Sequence, residues 1–276
     1  MKLKHSLWVS AGAAALLTAS AASATTLSIT FENVNGAGFL VTPVYAGFHD
    51  GGFDAFDAGS AASEGVEQVA ELPIPPNLDG RGNLLAAERR ANQDGDGVDS
   101  QGTFIANGGP IADGGSATVE VDIADPTVNR YASFLAMVVP SNDTFFGNDN
   151  PLAYELFDAM GNLTTSMIEI TAGSIYDAGT EINDFATSTQ AMILKGADEG
   201  GVITSIFDED AAGNNGLENL ATLFGLGDVS SITRDTVFFR IGVEEVAPVP
   251  LPASAPLLLG ALGLAGWGVR RRQKQA

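Results

Sequence analysis

No cysteine occurs among the 276 residues. That excludes disulfides, a thiol nucleophile and any thiolate-held metal. Histidine is almost as scarce: only His5 and His49 are present, so a multi-histidine zinc site is excluded as well. Both tryptophans, Trp8 and Trp267, stand near the ends of the chain, which leaves the middle without a common platform for stacking sugars. Positive charge is the third scarcity, with 13 basic residues against 34 acidic ones. Lys2, Lys4, Arg270, Arg271, Arg272 and Lys274 lie in the terminal segments, and every acidic residue lies between them. The middle therefore carries seven positive charges against 34 negative ones, about −27. Such a balance opposes nucleic-acid binding and unaided attachment to an anionic membrane. It suits solubility outside a cell and divalent cations that lower self-repulsion.

Catalytic signatures are missing too. There is no G-x-S-x-G elbow, no H-E-x-x-H and no phosphate-binding Gly-Lys-Ser/Thr loop. His49-Asp50 could form half of an acid–base pair, but a lone histidine at a strand end reads as a hydrogen-bonded structural residue. In so acidic a chain the paired carboxylates of a secreted glycan-acting hydrolase are the alternative class, although no spacing singles out a pair.

What is present begins with two targeting patterns. Lys2, Lys4 and His5 precede an apolar run from Leu7 to about Leu17, and Ala22-Ser23-Ala24 fits a cleavage site. Residues 1–24 are therefore expected to be a signal peptide. At the other end, Val249-Pro250-Leu251-Pro252-Ala253 leads into an apolar run from Ser254 to Val269, closed by the arginine cluster and Lys274. That run is near the short limit for a spanning helix, and the basic cluster would stay on the cytoplasmic side. A plain membrane anchor would explain it. The three-part order also resembles the VPLPA-type member of the PEP-CTERM class of bacterial sorting signals. The resemblance implies an exosortase-type processing protease, a Gram-negative-type bacterium, and a protein that is secreted or held at the cell surface. Residues 247–276 are assigned to this tail.

Residues 25–246 are long enough for one domain with a sizeable core. Strand signals dominate: Leu27 to Phe31, Phe39 to Phe48, the alternating Ala117 to Ile123, the continuously apolar Ser133 to Val139, Val202 to Phe207, and Val237 to Val243. Ser133 to Val139 reads as a central strand buried on both faces. Helices are expected to be short: Ser63 to Leu72 with Ser63 as cap and Pro73 as stop, Leu84 to Arg90, and Leu217 to Phe224. The stretch from Pro73 to Gly115 reads as a long excursion. The predicted fold is all-β, a single antiparallel β-sandwich of jelly-roll-like form with a few short helices.

Three acidic loops draw attention. Ser141-Asn142-Asp143-Thr144-Phe145-Phe146-Gly147 follows the buried strand. In Tyr176-Asp177-Ala178-Gly179-Thr180-Glu181 two carboxylates lie four apart across a glycine that permits a tight turn. A hard cation takes several oxygens from such loops; equally, Asp and Asn in turns bond their own backbone. Asn92 to Asp99 fits the first half of an EF-hand loop, but Thr103 stands where the bidentate glutamate belongs, so it reads as a turn. Phe56-Asp57-Ala58-Gly59-Ser60-Ala61 echoes the Asp177 loop with Ala61 in place of Glu181, and reads as structural.

Tyr45-Ala46-Gly47-Phe48-His49-Asp50-Gly51, then Phe53 to Gly59, Ala61 to Gly65, Met137 to Gly147 and the Tyr-Asp-Ala-Gly-Thr-acid motif at Tyr176 to Glu181 occur in an order that resembles bacterial spondin-type domains. The resemblance spans about Thr26 to Val246. It implies a spondin N-terminal β-sandwich that binds one calcium ion through loop carboxylates, here Asp143, Asp177 and Glu181. The glutamate replaces an aspartate of animal relatives, and their cysteines are absent. An adhesive or matrix role, with an exopolysaccharide or another surface protein as partner, is what the family implies.

Overall fold

A computed structural model describes residues 24–71, 103–105, 109–183, 198–208, 213 and 215–247. The expected signal peptide, sorting tail and Leu84 to Arg90 helix, the Asn92 to Asp99 segment and most of the expected Pro73 to Gly115 excursion lie outside the described residues. Among the described residues no helix is long and apolar enough to cross a membrane.

Eleven strands, β1 (Thr25–Asn33), β2 (Leu40–Val41), β3 (Val44–His49), β4 (Thr103–Ile105), β5 (Ser116–Ile123), β6 (Tyr131–Val139), β7 (Thr144–Gly147), β8 (Met167–Thr171), β9 (Ile175–Asp177), β10 (Thr204–Ser205) and β11 (Val237–Glu245), are described. Two short helices, α1 (Glu64–Glu71) and α2 (Gly216–Phe224), accompany them. One sheet has the order β5-β1-β11-β8; the other runs β10-β9-β7-β6-β3-β4, with β2 also pairing with β6. Every pairing is antiparallel. The architecture is thus two antiparallel sheets with little helix, compatible with an all-β sandwich.

Alternation explains the packing. In β1 from Leu27 to Asn33 every second side chain is buried, and in β5 buried Ala117, Val121 and Ile123 and half-buried Val119 alternate with exposed neighbours, as a sheet with one wet face requires. The inner faces share an aromatic core: Phe146 of β7 lies 4.6 Å from Phe239 of β11 and 5.7 Å from Phe31 of β1, ring centre to ring centre. β6 is buried throughout beyond Tyr131 because both of its faces are covered. Phe134, Ala136 and Val138 join the shared core, while Leu135 points the other way. There it meets Tyr45, Phe53, Phe56, Phe145 and the buried face of α1 (Val66, Val69, Ala70). Helix α1 thereby roofs the outer face of the larger sheet. Ser63 caps it, its Oγ accepting the Val66 N–H at 3.3 Å. Helix α2 opens with a reciprocal capping box between Asn215 and Glu218.

Two expected strands differ in detail. Phe39 to Phe48 is split into β2 and β3 by Thr42 and Pro43, and proline has no N–H to offer a ladder. Thr42 keeps the chain beside β6 by accepting the Met137 N–H at its Oγ1, 3.1 Å. Of Val202 to Phe207 only Thr204–Ser205 is strand, because Ile203 gives its backbone bonds to the Gly59-Ser60 loop instead. Conversely, β7 and β9 form where the sequence reads as loop. Their cores, Phe145-Phe146 and Ile175-Tyr176, are too short to show a period.

Candidate metal centre

Asp143 sits in the turn from β6 to β7. Ser141 closes that turn: its hydroxyl donates to the Val138 carbonyl at 2.6 Å and accepts the Thr144 N–H at 3.1 Å. Asp143 is completely buried, and its two oxygens have opposite fates. Oδ2 accepts the Thr180 N–H at 3.0 Å, the Thr180 hydroxyl at 3.2 Å and the Glu181 N–H at 3.0 Å. Oδ1 is buried with no hydrogen-bond partner. The Asp143 carbonyl also accepts the Ala178 N–H at 3.1 Å. The loop after β9 is therefore wrapped around one carboxylate, and the fold brings the Asp143 and Asp177–Glu181 loops together.

The electrostatics follow from this burial. Desolvation, then the nearby Asp177 charge, pushes the Asp143 carboxyl up to about 7, against the lowering pull of the Glu181 and Thr180 bonds. Asp177 is half-buried and is also raised, first by desolvation and further by Glu199. Its Oδ1 accepts the Gly179 N–H at 2.8 Å, and its Oδ2 accepts from the Asn183 side-chain amide. Asp177 thus makes the Asx turn that the sequence left open as an alternative to ligation. Glu181 is 1 % exposed, a carboxylate carried into the interior.

Sequence reasoning missed the fourth acid here, Glu199. The Glu199 N–H donates to the Thr180 carbonyl at 2.7 Å, and Asp198 bridges Glu181 as an antiparallel pair. Two acids before two glycines was the only signal. Gly201 then donates to the Gly179 carbonyl at 2.9 Å, and Ile203 exchanges bonds of 2.8 Å with the Gly59-Ser60 loop. The segment from Asp198 to Ile203 is threaded between the two Asp-Ala-Gly loops.

The residues fit a hard cation in kind. The donors are carboxylates, the only strong ligand class a chain without cysteine offers in number, and a buried carboxylate oxygen with no donor beside a second carboxylate is what a divalent cation relieves. They are not a finished cage: among the described residues no three His, Asp or Glu side chains are grouped closely enough to hold an ion as they stand.

The remaining motif residues sit elsewhere. His49 is fully buried; its Nδ1 accepts the Gly51 N–H at 3.1 Å and its Nε2 lies 3.0 Å from Ser133 Oγ. Asn148 donates to the same hydroxyl at 3.1 Å. All three side chains are interior. In the echo loop Asp149 Oδ1 accepts the Ala58 N–H at 2.8 Å. Asp54 and Asp57 are exposed there. No family model matches this chain, and no curated protein sequence matches it.

Proposed function

We propose that this chain is an exported, calcium-binding, spondin-like surface or extracellular-matrix protein that works by interaction rather than catalysis. Asp143, Asp177 and Glu181 hold the ion, which supplies positive charge where the fold buries negative charge. The observation that carries the reading is Asp143 Oδ1, buried without a donor at the foot of the loop that bears the other two carboxylates. The export, the exosortase-type processing and the spondin-type, jelly-roll-like refinement of the fold rest on the sequence motifs. The excess of acidic residues supports a cation-dependent contact with a partner such as an exopolysaccharide or a surface protein.

The test is a thermal melt of the purified protein in chelator and then in calcium, for the native chain and Asp177→Ala. A calcium-dependent rise in Tm that Asp177→Ala abolishes is the expected result. Linkage sets its size at about 2–4 kcal/mol when calcium exceeds its Kd by roughly 100- to 1,000-fold. A native chain that melts identically in chelator and calcium would sink the reading.

A further inference from the structure

We infer that the arm from Asp198 to Ile203 is a strap that makes the order of the Asp57 to Ala61 loop depend on the cation site; this rests on the calcium reading above. Backbone bonds fasten the strap on both sides. Toward the cation loop, the Glu199 N–H donates to the Thr180 carbonyl at 2.7 Å and the Gly201 N–H to the Gly179 carbonyl at 2.9 Å. Toward the echo loop, the Ile203 N–H donates to the Ser60 carbonyl at 2.8 Å, and the Gly59 N–H donates back to the Ile203 carbonyl at 2.8 Å. Asp57 to Ala61 are all exposed, and they lead into the Ser63 cap of α1.

The fit leaves the arm no room to slide. A Cβ on Gly201 would stand 2.7 Å from the Gly179 carbonyl oxygen, and one on Gly179 would stand 2.5 Å from that of Val202. Contacts this close are made or broken as a unit, because packed segments switch between discrete arrangements rather than deform continuously. Thr180 and Glu181, which cradle Asp143, therefore move with Ile203, which shares a buried cluster with Ala178. An ion that joins Asp143 to Asp177 and Glu181 holds the cation loop against the turn from β6 to β7. That loop holds the arm, and the arm holds Gly59 and Ser60. Without the ion the buried negative charge favours opening, and the opening passes along the same bonds to the exposed loop.

Amide hydrogen exchange of the purified protein, read residue by residue by NMR in chelator and in calcium, tests this. Calcium should slow exchange at Gly59 and Ile203 at least about fivefold, the low end of ordinary coupling between sites, along with Thr180 and Glu181. The Met160 and Gly161 amides, bonded within their own turn, should exchange alike in both conditions. Protection at Thr180 and Glu181 with none at Gly59 and Ile203 overturns the strap and leaves the cation site standing. No calcium effect on any of these amides overturns both readings together. The native chain decides these outcomes, and two alanine variants of the arm then read the route. A Cβ on Gly200 meets nothing within 4 Å, so Gly200→Ala should keep the response at Gly59. Gly201→Ala pushes the arm off the Gly179 carbonyl and should lose it. A Gly59 response that survives in Gly201→Ala overturns the strap, because the coupling would then run through Phe56, whose ring centre lies 5.1 Å from that of Tyr176.

Discussion

The Glu181 N–H donates to Asp143 Oδ2 at 3.0 Å, so a residue 38 positions away closes the cradle around one buried carboxylate. Thr180 adds two more donors to that oxygen. Replacing Asp143 by Ala strands buried N–H groups and should cost about 2–4 kcal/mol by denaturant unfolding in chelator. Asp143→Asn keeps one acceptor and removes the clash of charge with Asp177, so it should unfold near the native midpoint while losing the calcium response. Equal destabilisation by the two variants would refute this account.

The pH dependence in chelator has a defined sign. The Asp143 carboxyl lies at about 7 in the folded chain, above its ordinary 3.8. The folded state therefore holds more protons than the unfolded one between those values, and stability falls as pH rises through about 7. Asp177 and Asp54 are raised as well and act in the same direction. Asp158 and Asp228 are lowered by hydrogen bonds, so their effect is confined to more acid solution. Tm in chelator should be higher at pH 5 than at pH 8, and the increment from calcium should grow over the same range as the proton leaves. A chelator Tm that rises from pH 5 to pH 8 would contradict this.

Gly179 and Gly59 make a matched pair for the two Asp-Ala-Gly loops. Both have positive φ, 65° and 89°, but a Cβ on Gly59 meets nothing within 4 Å. Gly59→Ala should cost only backbone strain, about 1–2 kcal/mol. Gly179→Ala adds a backbone clash and should cost at least about 1 kcal/mol more, measured as a shift in urea midpoint at unchanged slope. Equal costs would mean that the arm can retreat.

Phe239 bridges the two sheets, lying 4.6 Å from Phe146 and 5.4 Å from Phe31 between ring centres. Phe239→Ala should destabilise by about 3–5 kcal/mol in equilibrium unfolding. Phe207→Ala, at a half-buried ring under Arg234, should cost much less.

Asn215→Ala removes the α2 capping box and should cost about 0.5–2 kcal/mol. Asn215→Ser should recover most of that loss in the same urea titration; no recovery would mean the cap contributes nothing.

Much of the fold was legible because burial imposes a period. Ala117 to Ile123 alternates since one face of β5 is wet, and Ser133 to Val139 is apolar throughout since β6 is covered twice. Short strands escaped because two or three residues cannot display alternation: β7 hides in what reads as an Asp-Asn loop, and β10 keeps two residues of an expected six. Ser63 and Leu217 to Phe224 marked α1 and α2 because caps and helical spacing are local.

By itself the sequence determined which chemistries were open. Without cysteine and with one histidine between the tails, only oxygen ligands remained in number, and the charge excess made a cation the natural counterpart. Local turn chemistry also fixed where Asp143, Asp177 and Glu181 could be presented. Only the tertiary structure decided that Asp143 is buried with one oxygen cradled and the other without a donor. It alone brought Glu199 beside Asp177. Both outcomes depend on bonds donated by backbone N–H groups across 19 to 38 positions, from Glu199 to the Thr180 carbonyl and from Glu181 to Asp143 Oδ2, and backbone donors leave no side-chain pattern along the chain to announce them.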